Sequence, residues 1–233
     1  MADFNSSLRT LSASRWRRAI SSFNWPYFVI SIGFVSGIKG PRQILHNPNR
    51  NKRGIAMNLP FFTIGHSTRT LEEFVVLLRA AKVELVVDIR TVRRSRANPQ
   101  YNDDSIAEGL AACGIGYEPI PELGGLRGKA KTVSPEVNGL WKNQSFHNYA
   151  DHALSDVFCR GLARLIALGR ERCCTVMCAE ALWWRCHRRI VADHLLARGE
   201  SVFHLMERDR IEPARLTAGA HIQPSGAVIY PGR

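Results

Sequence analysis

From Pro60 onward, short apolar runs alternate with stretches whose apolar positions recur at helical spacing. Phe61–Gly65 (FFTIG) reads as a strand. Thr70 with Glu73 three residues later forms a capping box, and Leu71, Phe74, Val75 and Leu78 then give one apolar helical face. ELVVDIR (84–90) is a continuous apolar strand that ends in charge, as expected where both faces are buried. Ser105 with Glu108 opens a second short helix, closed by Gly114, and GIGYEPI (114–120) is a third strand. A Gly-rich polar loop runs from Glu122 to about Ser145. A long helical stretch, Phe146 to Gly169, precedes a fourth strand, CCTVMCA (173–179). His187 to Arg198 predicts a helix with Gly199 just past its end, and SVFHLM (201–206) predicts a fifth strand. The tail 220–231 predicts a small hairpin turning at Pro224–Gly226.

Alternating strands and helices imply parallel pairing with right-handed crossovers. The expected fold is therefore α/β: an open, mostly parallel five-stranded sheet with helices on both faces, plus a small C-terminal hairpin. Residues 57–233 are expected to form a single α/β domain. Residues 1–56 differ in character: they hold nine Lys/Arg against one Asp, whereas 57–233 hold 23 against 19 acidic residues. The formal charge of +12 is thus mostly a property of the first segment and says little about the folded part. That segment carries one apolar run, Tyr27 to Ile38, roughly half the ~20 residues a membrane span needs. It reads as a disordered tail, or as residues upstream of a true start at Met57, and no membrane association is expected.

The six cysteines include no Cys-x-x-Cys pair, and their spacings match no disulfide framework, so a reducing cytoplasm is the expected compartment. In an open parallel sheet, ligands bind beyond the carboxyl ends of the strands. Here strand one ends in Gly65-His66-Ser67, strand two in Asp88 and Arg90, strand three near Glu118 and the ELGG turn, and strand four in Cys178 and Glu180. Cys186, His187 and Arg188 follow at once. Four polar sets at one edge predict a site.

Three kinds of chemistry fit MCAEALWWRCHRR (177–189). Cys178 at a strand end, facing a helix N-terminus and near Arg185 or Arg188, gains a stabilised thiolate. Helix N–H groups and arginines could instead hold an anion while the cysteines only pack. Zinc held by Cys178, Cys186, His187 and His66 ranks third, because structural zinc sites show tighter paired spacing. On the first reading Cys178 is the nucleophile and Glu180 or His187 carries the proton. His66 and Asp88 orient or share that proton work, with Arg90, Arg188, Ser67 and Cys186 contacting substrate. Each residue also has a bland alternative. Asp88 can simply pair with Arg90, Arg93, Arg94 and Arg96 can be a solvated loop, and Trp183 and Trp184 can be packing. The expected ligand is a small anion, phosphate-like or nucleotide-like, and no cofactor is identified. A non-catalytic nucleotide-binding or nucleic-acid-binding module is the alternative. Its nucleic-acid version is weakened by the modest charge of 57–233 and the lack of interleaved aromatics.

The segments TIGHSTRTLEEF, VVDIRTVRRSRANPQYN, GIGYEPIPELGG and MCAEALWWRCHRRIVADHL, in that order, resemble the bacterial and archaeal family called domain of unknown function 488. The resemblance extends from about Phe61 to Met206, with a similar tail. One departure is Val92, where members often carry proline. Nothing in the family corresponds to residues 1–56. The resemblance implies a compact α/β domain with a shared polar cluster, and it brings no settled activity.

Overall fold

A computed structural model describes residues 59–206 and 210–232. The expectation for residues 1–56 lies outside the described residues. All five expected strands form: β1 (Phe61–Gly65), β2 (Leu85–Asp88), β3 (Gly116–Pro119), β4 (Cys174–Cys178) and β5 (Val202–Leu205). They pair in parallel in the order β3-β2-β4-β1-β5. A sixth strand, β6 (Ile211–Pro213), adds antiparallel to β5 and makes the sheet six-stranded rather than five-stranded. It has three residues, one of them proline, which confines it to an edge and leaves no alternation to read. The predicted hairpin is β7 (His221–Ile222) with β8 (Val228–Ile229), turning through Gly226 at φ +79°.

Five α-helices cover the sheet among the described residues: α1 (Leu71–Ala80), α2 (Asp103–Ala111), α3 (Gln144–His152), α4 (Asp156–Glu171) and α5 (Arg188–Leu196). The capping box at Thr70 and Glu73 starts α1 as expected. Helix α2 begins earlier than Ser105, with Asn102 as its N-cap residue. The stretch Phe146 to Gly169 is two helices, because Ser155 accepts a hydrogen bond from the Phe158 N–H and opens α4 afresh.

The sheet splits its side chains by parity. Leu85, Val87, Cys174, Val176 and Cys178 face one core with Tyr149 of α3, Phe158 and Leu162 of α4, and Ile190 and Val191 of α5. Phe62, Ile64, Val86 and Met177 face the other with Phe74 and Leu78 of α1 and Ile106 and Leu110 of α2. This is the period-two alternation of strands covered on both sides. It also locates the ligand crevice. The chain leaves β1 through α1 on one face and leaves β4 through α5 on the other, yet β1 and β4 are neighbours. Their carboxyl ends flank the topological switch point, where open α/β sheets bind ligands.

Three buried histidines, His66, His194 and His204, are held neutral mainly by burial, with pKa values lowered to about 4, about 3 and about 3. Unfolded, each binds a proton near pH 6.5, so the unfolded state takes up protons that the folded state refuses. Stability is therefore expected to be intact above about pH 6.5 and to fall as pH drops from there toward 3. The loss is roughly 2 kcal/mol per histidine by pH 5. Urea melts across this range at constant ionic strength check it; a flat profile would show that these rings titrate normally.

Candidate functional site

The end of β4 is tied closely to the end of β1. Gly65 lies beside Cys178 in register, and the His66 and Ser67 N–H groups donate to the Cys178 and Ala179 carbonyls, both at 2.9 Å. Ser67 takes φ +51° to do so. Gly65 is required by closeness: a Cβ there would lie 1.9 Å from the Glu180 carbonyl oxygen and 2.8 Å from an Arg188 guanidinium nitrogen. The chain then runs through Ala179–Leu182 and one 3₁₀ turn, Trp183–Arg185, before His187 caps α5.

This path returns Cys186 and His187 to Cys178. His187 Nδ1 lies 3.8 Å from Cys178 Sγ and 3.7 Å from Cys186 Sγ. Its other nitrogen, Nε2, donates to the Ile89 carbonyl at 3.2 Å. A carbonyl only accepts, so in the neutral ring Nδ1 is the lone-pair nitrogen, and it faces the two sulfurs. Gly125 permits this ring position, since a Cβ there would sit 3.0 Å from Nδ1. The neighbouring Cys186 thiol holds Cys178 well below the ordinary thiol range against the cost of burial, with help from His187 and Arg188. Burial and the neighbouring sulfur push Cys186 well above it. By contrast, burial raises Cys173 to about 11 and Cys174 to about 12, which marks them as packing residues.

Arg188, expected to contact substrate as an anion clamp, lies buried. It is 1% exposed, and one guanidinium nitrogen donates to the Glu180 and Ala181 carbonyls at 2.7 and 3.3 Å. Its Nε and Nη1 have no hydrogen-bond partner, and no carboxylate pairs with it among the described residues. A buried cation of this kind needs a counter-charge. The Cys178 thiolate is the anionic species that can supply it.

The second wall is a closed network. Asp88, fully buried, accepts from the Arg90 backbone N–H, from Arg90 Nε, from Arg90 Nη2 at 2.6 Å and from the Tyr117 hydroxyl at 2.6 Å. Arg90 Nη2 also donates to the Tyr101 carbonyl, and Nη1 lies 3.3 Å from His66 Nε2. His66 Nδ1 donates to the Ser67 carbonyl, and the ring stacks on Tyr101 at 4.0 Å. Both nitrogens of His66 and both oxygens of Asp88 are therefore engaged within the wall. Tyr101 and Tyr117 belong to this network although the sequence reading passed over them. The i, i+2 spacing of Asp88 and Arg90 was the available signal.

These elements border an open cleft of about 390 Å³ lined by Arg90, Val92, Gly125, Leu126, Phe146, Cys178, Glu180, Arg185, Cys186 and His187, among others. Glu180 uses one carboxylate oxygen to accept from the Leu182 N–H at 3.2 Å. Ser67 and Arg188 are not part of the lining. Trp183 packs, stacking on His204 at 4.3 Å.

Cys178 Sγ, Cys186 Sγ and His187 Nδ1 lie within 4.8 Å of one another, close enough to converge on one metal ion. The donation from Nε2 to a carbonyl is what a ligating histidine usually has. His66, the fourth ligand in the zinc reading, is not in this group, since its nitrogens are engaged elsewhere.

No helix among the described residues is long and apolar enough to cross a membrane. No curated protein and no solved structure matches the chain. One family model does match, the domain of unknown function DUF488. It spans residues 70–195, which takes in α1 through α5 and every site element except the end of β1, and the chain belongs to that family.

Proposed function

We propose that the cleft is the active site of a thiol-dependent enzyme acting on a small anionic substrate, with Cys178 as nucleophile. The observation that carries this reading is the seat of Cys178 Sγ, at the switch point between the Cys186 thiol and the lone-pair nitrogen of His187. The Cys178 thiolate attacks the electrophilic centre, His187 Nδ1 takes the thiol proton and returns it to the departing group, and water releases the covalent intermediate. Cys186 keeps its proton and stabilises the thiolate. Glu180 is the remaining proton carrier at the cleft. Arg188 acts from behind as counter-charge, and the Asp88–Arg90–His66 network holds the wall.

Arg185 supports the anionic class: it is exposed, borders the cleft and has no side-chain partner among the described residues. Arg90 adds a second cation at the lining, although Asp88 already neutralises it. The Glu180 and Ala181 carbonyls are turned inward to Arg188. They accept from its guanidinium at 2.7 and 3.3 Å, and the Leu182 N–H donates to the Glu180 carboxylate at 3.2 Å.

A metal at Cys178, Cys186 and His187 is the second reading, favoured by the convergence of their donor atoms. Charge weighs against it. One thiolate neutralises Arg188, whereas a dication with two thiolates leaves Arg188 uncompensated.

The test compares alkylation of Cys178 by iodoacetate and by iodoacetamide, which differ in charge. The anionic reagent is expected to gain on the neutral one relative to their ratio with glutathione. Arg185→Gln should reduce that ratio about fivefold, the worth of one near-surface charge contact of about 1 kcal/mol. A ratio equal to that of glutathione removes the anionic class. One equivalent of zinc retained through purification, with Cys178 protected from both reagents, overturns the nucleophile.

A further inference from the structure

The lining of the cleft is partly apolar, and part of that apolar lining is exposed without structural cause. Leu126 is 81% exposed and sits at φ +53°, a left-handed conformation that a leucine rarely adopts. The strain is not a sign of a slack loop. On one side the Thr91 hydroxyl donates to the Gly125 carbonyl at 2.5 Å, and on the other Asn148 Nδ2 donates to the Arg127 carbonyl at 2.9 Å. Arg127 Nε binds the Gly124 carbonyl at 2.7 Å, and the Tyr149 hydroxyl binds the Leu123 carbonyl at 2.6 Å. A pinned loop thus holds a large apolar side chain in solvent at a position suited to glycine or asparagine. Folding gains nothing from leucine there.

Leu126 is not an isolated surface leucine, which would need no explanation. Val92 is 61% exposed on the neighbouring loop, half-buried Phe146 comes from α3, and both border the same cleft as Cys178 and Arg185. The cleft's size of about 390 Å³ falls at the small-molecule end of ligand pockets, about 300–1,000 Å³. A mostly apolar lining with a few placed polar groups is usual in such pockets.

Resting on the thiol reading, we infer that the substrate carries an apolar group, an aromatic ring or branched aliphatic arm, next to its anionic, electrophilic centre. Leu126, Val92 and Phe146 receive that arm while Cys178 meets the centre. Strain at Leu126 and exposure at Val92 are then the cost of a preformed specificity wall.

The experiment alkylates Cys178 with N-benzyliodoacetamide and with iodoacetamide, taking glutathione as the intrinsic reference. Burying about 40 Å² of the benzyl group gives an excess preference of about fivefold for the benzyl reagent. Leu126→Gly should take away most of that excess, and the change relieves rather than adds backbone strain, so the variant is expected to fold. A benzyl preference no greater than that of glutathione, or one that Leu126→Gly leaves intact, overturns the inference. A second measurement separates this result from the fate of the nucleophile. Binding of anilinonaphthalene sulfonate, an apolar ring system bearing an anion, is followed by fluorescence on Cys178→Ser with and without Leu126→Gly. Affinity should fall about fivefold with the glycine. Cys178 unreactive to both reagents, with dye binding sensitive to Leu126, sinks the nucleophile and keeps the apolar wall. Dye binding indifferent to Leu126 sinks the wall whatever Cys178 does.

Discussion

Iodoacetamide at pH 7 is expected to modify Cys178 at least about tenfold faster than Cys173 or Cys174, as read by peptide mass spectrometry over a time course. Alkylation needs the thiolate. With pKa values of about 11 and about 12, Cys173 and Cys174 hold roughly one thiolate in 10⁴ to 10⁵ at pH 7. Cys178 titrates well below the ordinary thiol range, so it holds a far larger thiolate fraction at the same pH. The weaker intrinsic nucleophilicity of a low-pKa thiolate returns only part of this gap, since the Brønsted slope is about 0.4–0.5. Exposed Cys159 supplies the internal reference for an accessible thiol.

The same experiment isolates Cys186 as a positioning residue. Its thiol is the largest cause of the Cys178 shift. A donor to the charged form of an acid favours that form. Cys186→Ala should therefore move the pH profile of Cys178 labelling upward, and Cys186→Ser, which keeps a donor, should restore part of it. An unshifted profile in Cys186→Ala would mean that His187 and Arg188 alone hold the thiolate.

Much of this arrangement could be read from the chain, for identifiable reasons. Continuous apolar strands that end in charge imply a sheet covered on both faces, and such a sheet brings Gly65-His66, Asp88-Ile89-Arg90 and Cys178-Ala179-Glu180 to one edge. The meeting of Cys178 with Cys186 and His187 was expected from the strand, turn and helix order. What periodicity could not show was direction. Arginines are rarely buried whole, so Arg188 reads from the sequence as an anion clamp, whereas it is buried against Gly65. His66 and Asp88 looked available for proton work, but their hydrogen-bonding capacity is spent on Ser67, Arg90 and Tyr117. Leu126 escaped notice because a left-handed leucine has no sequence signature, and the β6 edge strand is too short to have a period. The break between α3 and α4 did have one: Ser155-Asp156 is an N-cap followed by an acidic first turn, placed inside a pattern that otherwise reads as one helix.

Asp88→Ala is expected to cost about 3–5 kcal/mol in chemical denaturation, the range seen when one partner of a buried ion pair is removed. Asp88 is fully buried and is the acidic partner of Arg90, whose guanidinium is itself nearly buried. Without it the Arg90 charge stays in the interior, with the Tyr101 carbonyl and the His66 ring as its remaining polar neighbours, and the Tyr117 hydroxyl loses one of its two carboxylate acceptors. The penalty is thus an uncompensated charge rather than the worth of a salt bridge, and this has a consequence a simple contact count would miss. Replacing both members by apolar residues of similar size, Asp88→Leu with Arg90→Met, should recover a large part of the loss, because no buried charge remains. Urea denaturation of the two single variants and the double completes the cycle. If the double variant is as unstable as the sum of the singles, the wall depends on the hydrogen bonds from Arg90 to Tyr101 and from Tyr117 to Asp88 more than on charge compensation. Recovery in the double variant assigns Asp88 to neutralising Arg90 at the cleft wall.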